Sequence, residues 1–234
     1  MLIEKSLGSN TSEQSLKVAL TDPMYRRATW VNIGYILFHE LTGINVIILY
    51  SNSIFKSMSG SGSITPKQGT YLVGFSNMIA SLVSTQAVKF IGRRTLVIWG
   101  HALIAVAHAL IAYLINDGGH DTGVIFMILA FVFIYQNTSG PVAWLYAAET
   151  TIDAALGVCL LTLWGSVFLL SIYCPILLDP DNLGPSIVFL GFSGISVLGT
   201  LYSFLIMKET KGLSDKEKKA LFYPKRAKLV AKIQ

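Results

Sequence analysis

Most residues of this chain that have the chemistry to hold a solute lie inside long apolar runs. His39-Glu40-Leu41-Thr42-Gly43-Ile44-Asn45 falls within the run at 29–50. Asn77 sits in the second run, and Gln136, Asn137, Thr138 and Ser139 precede Gly140, Pro141 and Trp144 in the fourth. In lipid each polar group needs a partner or a water-lined cavity. Amides, a carboxylate and an indole offer hydrogen bonds and a flat face to a polar solute, but they do not form a nucleophile–base pair. No metal-ligand cluster and no phosphate loop is visible, so the chain reads as a non-enzyme with no cofactor and no metal.

Two of these stretches carry a signal for helix interruption. Gly43 weakens a helix by about 1 kcal/mol relative to Ala, and a helix broken at mid-bilayer presents backbone groups to a solute. Close helix packing is the alternative use of the same glycine. Pro141 removes a hydrogen bond and frees a carbonyl one turn earlier, just after four polar side chains. Asn77, near mid-depth in its run, is ambiguous, because hydrogen bonding between helices is the commonest use of such a residue. His101 and His108, seven apart on one helix face, are expected to bond neighbouring helices rather than a metal.

The elements that must position these residues follow from composition. The 234-residue chain is 53% hydrophobic and 13% charged, with a mean hydropathy of +0.58. Soluble domains carry about 25% charged residues. Apolar runs near 29–50, 69–91, 95–115, 123–146, 156–177 and 184–207 are each long enough to cross about 30 Å of hydrocarbon as a helix. They are continuous rather than alternating, which excludes a β-barrel. The predicted fold is an all-α, multi-pass membrane protein: a polar lead at 1–28, a six-helix bundle at 29–207 and a basic tail at 208–234. A short interfacial helix is expected near 12–19 and a capped one near 214–222. Cys159 and Cys174, 15 residues apart, are expected to be small buried hydrophobes.

Charge sets the expected orientation and the partners of the tail. With six spans both termini share one side, which holds sixteen of the eighteen Lys and Arg residues; only Lys56 and Lys67 face the other. The positive-inside rule puts the basic side in the cytoplasm or a matrix-like compartment. The net charge of +5 resides in the tail, where nine basic residues outweigh three acids. Next to a last span such a tail suits anionic lipid or an acidic partner, not nucleic acid. No secretory signal is visible.

Several motifs together carry a resemblance. They are Asp22-Pro23-Met24-Tyr25-Arg26-Arg27, Leu41-Thr42-Gly43-Ile44-Asn45, Gly92-Arg93-Arg94-Thr95, Gly140-Pro141-Val142-Ala143-Trp144 with Ala148-Glu149, and Glu209-Thr210-Lys211-Gly212. In this order and spacing the chain resembles the C-terminal half of a sugar porter, of the glucose-transporter branch of the major facilitator superfamily. The resemblance implies one six-helix bundle of a two-bundle fold, with a hexose as ligand between the bundles. It also implies His39, Glu40, Asn45, Asn77, Gln136 and Trp144 as the sugar-contact positions, and Arg93, Arg94, Glu149 and Glu209 as a charge latch at the cytoplasmic face.

Departures from the family pattern shape the functional expectation. His39 and Glu40 stand where the family has two glutamines, and an ionised Glu40 only accepts hydrogen bonds. Lys89 stands where the family has an acid, Lys208 replaces a proline, and the arginine expected after Glu149 is missing from Thr150 to Gly157. Alternating access rocks one bundle against another, and no second bundle is found in the sequence. The first expectation is therefore a structural or accessory subunit of a larger membrane complex, with transport reduced or lost. Other membrane subunits would be its partners, in an organelle inner membrane such as the mitochondrial one. The alternative is a sugar transporter of the plasma membrane, working as a homodimer or with a separate N-terminal half.

Overall fold

The structure, a computed structural model, describes residues 16–58, 64–118 and 120–224. Among these residues the chain forms ten helices and no strand: α1 (Leu16–Thr21), α2 (Arg26–Glu40), α3 (Ile44–Met58), α4 (Pro66–Phe90), α5 (Arg93–Asp117), α6 (Asp121–Asn137), α7 (Ser139–Thr150), α8 (Asp153–Leu178), α9 (Gly184–Leu205) and α10 (Asp215–Ala220). Residues 12–15 of the expected interfacial helix lie outside the described residues, as does the tail from 225 onward.

Eight of the ten helices, all but the short α1 and α10, make six membrane crossings, because two crossings are each split in two. Five stretches are long and apolar enough to span: Arg26–Lys56, Arg93–Asp117, Asp121–Thr150, Asp153–Leu178 and Gly184–Leu205. The remaining crossing, α4, has 25 residues. That is long enough at 1.5 Å per residue, but Ser76, Asn77, Ser81, Ser84, Thr85 and Gln86 make it the most polar of the six. Its start is well specified: Thr65 and Gln68 form a capping box, and Pro66 occupies the first turn, where a missing N–H costs nothing.

The most extensive helix pairings are α5 with α9, α4 with α6, and α5 with α6. Two apolar cores fill the bundle. One gathers Ile47, Ile104, Ile111, Ile128, Phe131 and Phe189. The other lies at the basic end and gathers Val31, Tyr35, Val97, Val142, Tyr146 and Phe222. Phe222 buries itself in the same core as Ala28, and the Tyr25 and Tyr223 rings meet edge to face at 6.0 Å. The segments before the first crossing and after the last therefore share one end of the bundle. Cys159 and Cys174 are both free and buried.

One local expectation shifts, and two further features of the chain ends and helices stand out. The fourth crossing breaks at Thr138, not at Pro141. Pro141 stands in the first turn of α7, where its ring denies the Asn137 carbonyl a continuing helix. The last crossing ends at Leu205, well before Gly212. Residues 206–214 instead fold back over the basic end, where the Tyr146 hydroxyl accepts a hydrogen bond from the Lys208 N–H at 3.0 Å. Gly212, at φ 80°, turns the chain into α10, which opens with a Ser214–Glu217 capping box. Pro175 lies inside α8 without ending it; the Ser171 carbonyl it frees accepts from the Tyr50 hydroxyl at 2.9 Å.

Candidate functional site

The two interrupted crossings face each other, and their breaks hold most of the polar chemistry. The first break occupies Leu41 to Gly43, with Gly43 at φ 82°, a conformation that L side chains resist. Its freed backbone is claimed at once. The Thr42 hydroxyl donates to the His39 carbonyl at 2.7 Å, and His108 Nε2 lies 2.9 Å from the Thr42 carbonyl. A carbonyl only accepts, so His108 carries its proton on Nε2. At the second break the Tyr35 hydroxyl donates to the Ser139 carbonyl at 3.1 Å. His39 joins the two breaks: its Nδ1 is 3.0 Å from the Ser139 hydroxyl and its Nε2 is 2.6 Å from the Tyr135 hydroxyl.

A cavity of about 210 Å³ opens between the breaks and α8. Its walls include His39, Glu40, Asn45, Gln136 and Trp144, five of the six positions marked in the sequence. Within the wall, Asn45 Nδ2 donates to Glu40 Oε2 at 2.6 Å, and His39 Nε2 lies 3.5 Å from Glu40 Oε1. Gln136 Nε2 donates to the Ser81 hydroxyl at 3.1 Å. Glu40 is only 2% exposed. Burying a carboxylate is costly unless donors reach it, and Asn45 is the donor that does.

Asn77 is not brought to this wall. It stands one turn before Ser81 on α4, whose hydroxyl donates to the Asn77 carbonyl at 2.8 Å, and its own Oδ1 is buried without a hydrogen-bond partner. Three more residues complete the site: Ser139, one of the four polar side chains noted before Pro141, as the anchor of His39, and Tyr135 and Trp164, not marked in the sequence, as wall residues. The signal of those two was weak, since a Tyr or Trp in an apolar run looks like ordinary packing. Of the two paired histidines His108 bonds across to another crossing, and His101 Nδ1 lies 3.0 Å from the Val97 carbonyl of its own helix.

At the basic end the four latch residues sit together, but not as two simple pairs. Arg93 Nη2 meets Glu149 Oε1 at 3.0 Å. Glu209 Oε1 accepts from the backbone N–H of Arg93 at 2.8 Å and from those of Thr210 and Lys211. It thus caps the start of α5, where the helix dipole favours an anion. A Cβ at Gly92 would come within 2.8 Å of Glu209 Oε1, so the close approach depends on glycine there. Among the described residues Arg94 pairs with no carboxylate: its Nη2 donates to the Phe204 carbonyl at 2.6 Å and its guanidinium lies over the Phe204 ring. Lys218 of α10 lies 3.2 Å from Glu149 Oε1, and the Thr210 hydroxyl donates to Oε2 at 2.6 Å. Lys218 thereby supplies the second cation that the sequence lacks after Glu149.

The family model described as "Sugar (and other) transporter" matches residues 2–222. The chain belongs to this family. Curated relatives include the rat (Rattus norvegicus) solute carrier family 2 facilitated glucose transporter member 2, 30% identical over 95% of this chain and 43% of the relative. Another is the probable metabolite transport protein CsbC of Bacillus subtilis, 28% identical over 92% of this chain and 48% of the relative. The chain thus spans about half the length of the curated relatives it matches. Among solved structures, the proton:xylose symporter XylE bound to 6-bromo-6-deoxy-D-glucose superposes with a TM-score of 0.73 at 22% identity, over 83% of this chain and 42% of that one. The inward-open xylose transporter XylE from E. coli gives 0.72 at 21% identity, over 89% and 45%. The fold is that of a major facilitator half, and the relatives are transporters rather than enzymes.

Proposed function

We propose that this chain supplies the solute-holding bundle of a sugar transporter and works against a second bundle, wherever that bundle is encoded. The observation that carries the reading is the cavity between two interrupted crossings, with His39, Glu40, Asn45, Gln136 and Trp144 in one wall. Discontinuous helices that meet at a polar cavity are how membrane transporters hold a solute at mid-depth. Hexose is the ligand class that the family relation favours, and the plasma membrane is the compartment that goes with it. The latch residues at the basic end brace this bundle, and the segments flanking 29–207 act as its lead and tail.

The test uses the native assembly. The protein is purified from its own membranes with whatever comigrates on a native gel, and reconstituted in liposomes. Saturable hexose exchange is expected, and Asn45→Ala and Gln136→Ala are each expected to abolish it. Absence of saturable exchange by the native assembly would overturn this reading.

One observation favours a second reading. The wall's polar groups are largely satisfied by one another: Asn45 with Glu40, Gln136 with Ser81, His39 with Ser139 and Tyr135. A bundle so self-paired suits a structural or accessory subunit of a larger complex, in an organelle inner membrane, with transport reduced or lost. A stable heteromeric band on the native gel without hexose exchange is its expected signature.

A further inference from the structure

The cavity has an unequal supply of donors and acceptors. Glu40 Oε2 is taken by Asn45 at 2.6 Å, but among the described residues no hydrogen bond reaches Oε1. His39 Nε2 lies 3.5 Å from Oε1, and that nitrogen is already engaged with the Tyr135 hydroxyl, the other titratable group of the wall, at 2.6 Å. None of the residues lining the cavity is Lys or Arg. One N–H of each wall amide is committed, Asn45 to Glu40 and Gln136 to Ser81, which leaves each amide one N–H and its carbonyl, beside one carboxylate oxygen, so acceptor capacity exceeds donor capacity. Two indoles, Trp144 and Trp164, complete the wall, and an aromatic face attracts a cation. A nearly buried carboxylate oxygen with no donor, beside two indoles and no fixed cation, is chemically a site for a positively charged group.

We propose that the solute is a polyhydroxylated compound with a protonated amine, an amino sugar in its simplest form, whose ammonium takes Glu40 Oε1 while its hydroxyls replace the contacts of Asn45 and Gln136. This rests on the reading of the cavity as a solute site and narrows the substrate class. A neutral sugar can donate a hydroxyl to Glu40 but leaves the carboxylate's charge unmatched in a membrane interior, whereas an ammonium answers both needs.

The experiment titrates D-glucose, D-glucosamine and N-acetyl-D-glucosamine into the purified native protein at neutral pH, where most of the free amine is charged. Binding is followed by intrinsic tryptophan fluorescence, since two indoles line the cavity. A charge-assisted hydrogen bond predicts that glucosamine binds at least about tenfold more tightly than glucose. N-acetylglucosamine, which has the bulk without the charge, is expected to bind no better than glucose. Glu40→Gln is expected to bring glucosamine and glucose to about the same affinity. Equal affinity of the unaltered protein for glucose and glucosamine overturns the proposal while leaving the sugar site standing; that comparison needs no variant to fold. So does an amine preference that survives in Glu40→Gln, or N-acetylglucosamine binding as tightly as the amine. If none of the three sugars binds, the solute-site reading fails and this proposal fails with it.

Discussion

Replacing Gly43 by alanine tests the first helix break most directly. The φ of 82° places an alanine there in the left-handed region, at a cost of about 1–2 kcal/mol. The added Cβ would also lie 2.6 Å from Phe192 Cε2 and 2.8 Å from Cδ2 and Cζ. That ring belongs to the buried core, so relieving the overlap requires repacking at about 1–3 kcal/mol. Alanine stiffens the unfolded chain and returns about 0.4–1 kcal/mol, so the net loss should be about 1–5 kcal/mol. Gly74→Ala is the control. It lies inside α4 with negative φ and nothing within 4 Å of an added Cβ, so alanine there should be neutral or stabilising by up to about 1 kcal/mol. Gly43→Ala with Phe192→Leu separates the two contributions, because the smaller side chain relieves the overlap but not the backbone strain. Thermal unfolding in detergent, followed by tryptophan fluorescence, should lower the midpoint for Gly43→Ala, restore part of it in the double variant, and leave Gly74→Ala unmoved or higher. A Gly43→Ala protein as stable as Gly74→Ala would refute the claim that the break requires a left-handed residue.

Two further predictions concern contacts that the sequence did not announce. Tyr50→Phe leaves the Ser171 carbonyl without its 2.9 Å donor and should cost about 1–3 kcal/mol; on a Pro175→Ala background, where alanine restores the helix N–H to that carbonyl, the same change should cost less, as a double-mutant cycle of unfolding midpoints would show. At Lys218 burial works against the charge, but the Glu149 and Asp215 carboxylates outweigh it and hold the ammonium above its usual range. A raised folded pKa means its contribution is fully present below the ordinary lysine range and is lost as pH climbs through the raised value. Protection of α10 from protease should therefore persist through neutral pH and fall only in strongly alkaline buffer. Lys218→Met should weaken that protection about two- to fivefold, the range of a partly exposed ion pair.

The six crossings were legible because apolar runs of sufficient length have one outcome in lipid. Breaks were legible in kind more than in place. Gly43 marked its own interruption, since the signal and the strained residue coincide. Pro141 marked one that the chain makes at Thr138, because a proline acts on the carbonyl a turn behind it while its own position suits a first turn. Five site positions converge on one cavity because the two breaks face each other; Asn77 does not join them, since α4 places it away from that wall. Tyr135 and Trp164 escaped notice because their types are common packing residues in any apolar run. Lys218 escaped because its partner Glu149 is remote in sequence and only the fold-back of 206–214 brings α10 to it.

The site has a fixed back and an exchangeable front. The freed Thr42 carbonyl is braced from within the bundle by His108 of α5, Tyr35 of α2 holds the first turn of α7 at the Ser139 carbonyl, and His39 ties α2 to both halves of the fourth crossing. Interruptions whose backbone is already hydrogen-bonded need neither water nor solute to persist in lipid. The cavity wall therefore exists before a solute arrives, and binding does not have to order it. On the cavity side the contacts are different in kind. Asn45–Glu40 and Gln136–Ser81 link side chains that solute hydroxyls can replace one for one. Occupancy then exchanges hydrogen bonds rather than adding them, which keeps the binding of a neutral sugar weak and leaves selectivity to whatever the exchange does not cancel. In this cavity the uncancelled feature is the Oε1 oxygen of Glu40. Substitutions behind the wall should accordingly act on the stability of the bundle, and substitutions at Asn45, Gln136 and Glu40 on which solute it holds.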